Sequence, residues 1–226
     1  MDSIPSTQDS LAGHVRTGAE DVAVIRALTQ TAGRGRFERE WHSPRGCSFS
    51  ISIALFDYRD WPKPELLGIA LAIAAAETAA CDLAWPNDLV HDSNEGLRKV
   101  GGVLGEMVRT PDGSRVPVIG IGLNLRPGAF PDDIPGVSLE ELGKQHNGDV
   151  VLSRLIDAVE HVPEPTDWAA LAGDWSRRDK TAGKSYILPG DRIGRGVGIS
   201  DHGHLIVAVD GEIVESPSAD LVFKEV

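Results

Sequence analysis

Residues 65–81 are dominated by alanine, leucine and isoleucine, the best helix formers among them, and Pro64 suits a first helical turn, where its missing N–H would be unpaired anyway. Apolar residues lie nearly all round this helix, so other layers must cover it on every side. Its longest apolar run, residues 66–76, is too short to cross a bilayer, and no membrane partner is expected.

The covering layers are legible as strands. In residues 48–56 Phe49, Ile51, Ile53 and Leu55 alternate with Ser48, Ser50, Ser52 and Ala54, the period of a half-buried strand. Residues 22–28, 83–85, 99–108 and 116–125 read as further strands, and their glycines mark places where a ligand or another backbone comes close. Residues 31–46 read as a loop and 92–96 as a polar turn. Helices are expected over residues 6–15, with Ser6 as N-cap, and 167–178. A third is expected from a cap at Asp149, with Leu152, Leu155, Ile156 and Val159 on one face. After Thr181 short strands alternate with turns at 189–191, 201–204 and 210–211. The expected architecture is therefore α+β: a helix-backed mixed sheet over residues 1–180 and a small β-barrel over 181–226.

With 226 residues, one large and one small domain are expected. The net charge of -12 opposes binding to nucleic acid, whereas the small cluster Arg34, Arg36 and Arg39 suits one anionic small molecule. Cys47 and Cys81 have no metal-type spacing and read as free thiols, and the N-terminus has no signal-peptide pattern; both point to the cytoplasm. The seven histidines form no metal constellation, and His202-Gly203-His204 reads as a hairpin turn.

Four short motifs carry chemistry. Gly33-Arg34-Gly35-Arg36 lets backbone N–H groups and guanidiniums meet an oxyanion, although alone it is as often a solvated loop. Trp85-Pro86-Asn87-Asp88 alone is a tight turn pinned by a tryptophan. Lys99-Val100-Gly101-Gly102 sets one cation on an apolar strand, and Gly120-Ile121-Gly122-Leu123-Asn124 ends a second such strand in an amide.

In this order the four motifs resemble the catalytic domain of biotin protein ligases, and the resemblance extends to Ser6-Thr7-Gln8, Trp41 and Ser43-Pro44. It implies the class II synthetase-like fold with an SH3-like C-terminal barrel, in the monofunctional class without a DNA-binding domain. It further implies a biotin site at Ser6, Thr7, Gln8, Gln30, Gly33, Arg34, Gly35, Arg36, Trp41, Lys99, Gly102 and Gly122. ATP would lie against Arg34, Arg36, Arg39, Trp85, Asn87 and Asn124, with Mg²⁺ near Asn124 and the reacting groups at Lys99, Arg36 and Asp88. Biotinyl-AMP would form there, and biotin would pass to a lysine of a biotin carboxyl carrier domain of a biotin-dependent carboxylase.

The chain departs from the family pattern at Gln8, in place of asparagine, at Ala84, in place of lysine, and in a lid carrying Phe37, Glu38 and Glu40. Three alternatives stand beside the ligase: a lipoate or octanoyl transferase, for which Cys47 is the conceivable thiol, a biotin-binding sensor without catalysis, and more remotely a DNA-binding repressor. The sequence leaves a homodimer through sheet edges and a monomer equally open.

Overall fold

The computed structural model describes residues 1–94, 96–131 and 134–223; the side chain of Glu38 and residue 95 of the expected polar turn lie outside the described residues. The chain runs α1 (Thr7–Arg16), β1 (Val24–Ala27), β2 (Gln30–Arg34), β3 (Glu40–Ser43), β4 (Ser48–Ala54), α2 (Pro64–Ala79), β5 (Asp82–Ala84), β6 (Asp88–Ser93), β7 (Gly96–Arg109) and β8 (Arg115–Asn124). It continues through α3 (Gly148–His161), α4 (Trp168–Ser176), β9 (Ser185–Leu188), β10 (Arg192–Ile199), β11 (Leu205–Val209), β12 (Glu212–Ser216) and β13 (Asp220–Leu221).

The central sheet has the order β1-β4-β8-β7-β6-β5. Every ladder described in it is antiparallel, so the mixed sheet expected from the sequence is corrected to an antiparallel one. Hairpin connections explain this: β5, β6, β7 and β8 follow one another through short turns, which only antiparallel neighbours allow.

One face of the sheet carries α2, and α2 is buried as its composition demands: Leu66, Leu67, Ile69, Leu71 and Ile73 are all within 6% of full burial. At about 1.5–3 kcal/mol for each large side chain, this helix is a main source of core stability. Phe49 and Ile51 of β4, Val103 of β7 and Ile119, Ile121 and Leu123 of β8 belong to the same core. α3 and α4 close α2 from outside through Val151, Leu155, Leu171 and Trp175. The cap of α3 is Asn147 rather than Asp149, and Ile156, expected on its inner face, is 53% exposed while Val151 is buried.

The opposite face is covered by α1 over only part of its length. Leu11, Ala12 and Val15 pack on Ile25, Ala54, Val108, Val116 and Val118. Ser6 caps α1 as expected, accepting from Asp9 N at 3.2 Å. Further along the same face the residues become small: Ser48, Ser50 and Ser52 on β4, Gly120 and Gly122 on β8, and Gly102 on β7. The serine face of β4 is buried, not half-exposed as expected, with Ser50 at 2% and Ser52 at 0%.

The expected loop over 31–46 contains the β2–β3 ribbon, which folds back over this uncovered face. Glycine permits the close approach, since a Cβ on Gly33 would lie 2.4 Å from Trp41 O. The C-terminal strands form an open antiparallel sheet in the order β12-β11-β10-β9-β13, not the closed barrel expected. Asp210 and Gly211, both at positive φ, make the β11–β12 hairpin turn expected from the sequence.

Candidate functional site

A cavity of about 680 Å³ occupies the gap between the small-residue face, the β2–β3 ribbon and the C-terminal strands. Its size is in the range of small-molecule sites. It exists because glycine and serine stand where large side chains would fill the space.

The floor is a chain of hydroxyls and amides. Thr7 N and Oγ1 donate to Gln30 Oε1 at 2.7 and 3.0 Å, and Ser52 Oγ reaches Thr7 Oγ1 at 2.9 Å and Gln8 Oε1 at 3.0 Å. Ser43 Oγ meets Ser48 Oγ at 2.6 Å and Ser50 Oγ at 3.1 Å. Polar atoms in so buried a place are retained because they bond to one another, and they offer partners to a polar ring that would otherwise be desolvated at cost. Gln8 is already committed: its Nε2 donates to Glu106 Oε2 at 3.1 Å and Val118 O at 2.9 Å.

One wall is cationic. Lys99 Nζ lies 2.5 Å from Asp88 Oδ1 and 5.4 Å from the centre of the Phe223 ring. Lys99 and Gly102 are three residues apart, which in a regular strand would put them on opposite faces. A bulge against Leu89 and Val90 inserts one residue, and a Cβ on Gly102 would lie 3.6 Å from Lys99 Cε. Arg98 points elsewhere, donating to Gly136 O at 2.9 Å, as alternation requires.

Arg36 Nη1 donates to Asn87 Oδ1 at 3.1 Å and to Ala219 O at 3.4 Å, and Arg39 pairs with Asp220. Burial pulls the pKa of Arg36 down and neighbouring Arg39 adds to this, while Asp220 and Asp88 oppose it. A cation held at that desolvation cost favours an incoming anion. Arg34 is anchored outward, bidentate to Glu106 at 3.0 Å on both nitrogens and 2.7 Å from Asp9.

Of the residues singled out from the sequence, the cavity brings together Ser6, Thr7, Gln8, Gln30, Arg34, Gly35, Arg36, Arg39, Trp41, Asn87, Asp88, Lys99, Gly102 and Gly122. Gly33, Trp85 and Asn124 do not line it. Gly33 faces the Trp41 backbone inside the ribbon. Trp85 is 3% exposed, and its indole N–H donates to Gly203 O at 2.8 Å, tying the central sheet to the C-terminal strands. Asn124 is 2% exposed and donates to Lys99 O at 3.0 Å, which places it behind the lysine.

Sequence reasoning missed Ser50, Ser52, Gly120, Asp220 and Phe223, all of which line the cavity. The serine alternation and Gly120 were visible signals, whereas nothing in residues 220–223 marks them. Among the described residues no group of three His, Cys, Asp or Glu side chains could hold a metal ion. Nor is any helix there long and apolar enough to cross a membrane.

Comparisons with known proteins point to one family. The model of the biotin/lipoate A/B protein ligase family matches residues 1–124. The bifunctional ligase/repressor BirA of Bacillus subtilis is 28% identical over 97% of this chain and 72% of its own length. The biotin–[acetyl-CoA-carboxylase] ligase of Mycobacterium tuberculosis is 29% identical over 96% of this chain and 85% of its own. The structure of the Aquifex aeolicus biotin protein ligase in complex with biotin and ATP superposes with a TM-score of 0.74 at 25% identity, covering 98% of this chain and 96% of that one. With the family model spanning more than half the sequence, the chain belongs to the biotin/lipoate A/B protein ligase family.

Proposed function

We propose that this chain is an ATP-dependent biotin protein ligase, in which the biotin carboxylate displaces pyrophosphate from the α-phosphate of ATP to give biotinyl-AMP and biotin then passes to a lysine of a biotin carboxyl carrier domain. The observation that carries this reading is one cavity with a hydroxyl and amide floor beside a wall made of Lys99, Arg36 and Arg39. A ureido ring fits the first and a carboxylate with phosphates the second.

The chemistry needs that wall, because a carboxylate attacking the α-phosphate of ATP brings two anions together. Lys99 would lie beside the carboxylate, with Asp88 fixing its ammonium, and Arg36 would stabilise charge gathering on the phosphates. Asn87 would orient Arg36. Mg²⁺ would be held chiefly by the nucleotide phosphates, lending further positive charge. The β2–β3 ribbon would exclude water from the mixed anhydride until the neutral amine of the acceptor lysine attacks the acyl carbon and AMP leaves.

We read residues 1–180 as the catalytic domain and 181–226 as an SH3-like appendage, supported by short strands and tight turns although its sheet is open. Beyond Val103 β7 stays paired with β8, but its other edge, where the β6 ladder has ended, has no ladder partner among the described residues, which suits pairing between two copies. The net charge of -12 speaks against nucleic acid, and two free thiols suit the cytoplasm.

The test is incubation with ATP, Mg²⁺ and a biotin carboxyl carrier domain, following acceptor mass, with lipoate and octanoate as competing acids. A biotin-sized gain requiring ATP supports the ligase. Saturable biotin binding without any gain would leave a sensor, and gain from lipoate or octanoate alone would sink the biotin assignment.

A further inference from the structure

The floor of the cavity and the arginine loop are joined by one continuous line of hydrogen bonds. It runs from Gln30 through Thr7, Ser52 and Gln8 to Glu106, and from Glu106 into the two terminal nitrogens of Arg34. Gln30 and Arg34 are the two ends of β2, so the line begins and finishes on the strand that covers the cavity.

Glu106 is the junction. Its Oε2 accepts from both Gln8 and Arg34, and its Oε1 takes the second Arg34 nitrogen. The long Gln8 side chain makes this possible: its Oε1 stands 2.8 Å from where a Cβ on Gly120 would lie, so the glycine leaves the space through which the amide passes. Bidentate arginine pairing fixes direction as well as distance, and bonds in such a line polarise one another.

We propose that Glu106 is a positioning residue that couples the occupied floor of the cavity to the placement of the arginine loop. A polar ring bonding to Thr7 and Ser52 stiffens the line, Glu106 passes this to Arg34, and the loop bearing Arg36 and Arg39 settles over the ligand. Glu106 touches no reacting atom in this role. The inference rests on the biotin reading of the cavity.

The experiment is limited trypsin digestion, whose targets Arg34, Arg36 and Arg39 are untouched in Glu106→Gln and Glu106→Ala, with and without saturating biotin, alongside biotin binding by calorimetry. In the wild type, biotin is expected to slow cleavage of residues 34–39. In both variants the protection is expected to be largely lost even at saturation, with biotin bound roughly tenfold more weakly, the effect of one charge-assisted bond. Glu106→Gln, nearly isosteric, decides if Glu106→Ala does not fold. Full wild-type protection in a folded Glu106→Gln would overturn the coupling. Failure of the wild type to bind biotin would overturn the function itself, a separate result.

Discussion

Lys99 and Asp88 form a close ion pair at 2.5 Å, in which the carboxylate is almost wholly buried and the ammonium a quarter exposed at the cavity. The asymmetry means that removing the lysine strands a charge, whereas removing the acid leaves a cation with access to water. Lys99→Met is therefore expected to cost about 1–3 kcal/mol in urea unfolding, toward the lower end because the lysine is part-exposed. Asp88→Asn should cost less, and the double variant should recover part of the loss through a coupling of about 1 kcal/mol. On the proposed mechanism the positive charge of Lys99 serves the transition state, so adenylate formation should fall by about a hundredfold or more in Lys99→Met. Additive stability losses in the double variant would show that the pair is not coupled.

That pair was only partly legible in the sequence. The motifs named both residues, but their meeting depends on the bulge opposite Leu89 and Val90, which no local pattern announces. The helix at 65–81 and the strand at 48–56 were legible because composition and period fix burial through short-range physics. The polarity of β4 misled for a related reason: alternation shows two faces but not which medium each meets, and here the serine face meets a cavity. Asp220 and Phe223 enter the site only through tertiary packing of the C-terminal strands, so no nearby residue signals them. The ribbon hidden in the expected loop at 31–46 pairs mainly across a register shift, which breaks the period-two pattern a strand would show.

Two glycines on the cavity face separate packing from binding. A Cβ on Gly122 would stand 2.5 Å from the Trp41 ring, so Gly122→Ala must displace the indole, at about 1–3 kcal/mol. A Cβ on Gly102 would find its nearest neighbour at 3.6 Å, an ordinary contact. Gly102→Ala should fold with nearly unchanged stability and still lose biotin affinity, because its methyl enters the cavity. Thermal unfolding and calorimetry on both variants check this; equal stability losses would contradict the geometry.

The Arg34 anchor carries a pH dependence of definite sign. Burial alone would raise the Glu106 carboxyl, but hydrogen bonds from Arg34 and Gln8, with the charge of Arg34, outweigh it and hold the group below its ordinary value. A depressed folded pKa gives stability that is present above the unfolded value, about 4.3, and lost as pH falls through the folded one. The stability gap between wild type and Glu106→Gln should thus be flat from about pH 6 to 8 and narrow below about pH 4. Urea unfolding at pH 7 and in acid measures it, and a gap that widens in acid would reverse the sign argued here.

The two thiols separate the ligase from a thiol-dependent acyl transferase. Cys81 is 3% exposed, and burial, only partly offset by Lys144 and Arg178, pushes its thiol up to about 12. At pH 8 it should react about a thousandfold more slowly than an ordinary cysteine, since only the thiolate is nucleophilic. Cys47 is half-buried immediately before β4, its backbone carbonyl accepting from Leu125 N and Arg126 N, and it does not line the cavity. A thiol reagent should therefore modify one cysteine in the native protein and two after unfolding. Alkylation at Cys47 should leave biotin transfer within about twofold, because its side chain lies outside the cavity. Loss of transfer on modifying Cys47 alone would return that thiol to the chemistry and favour a covalent acyl-enzyme over an adenylate.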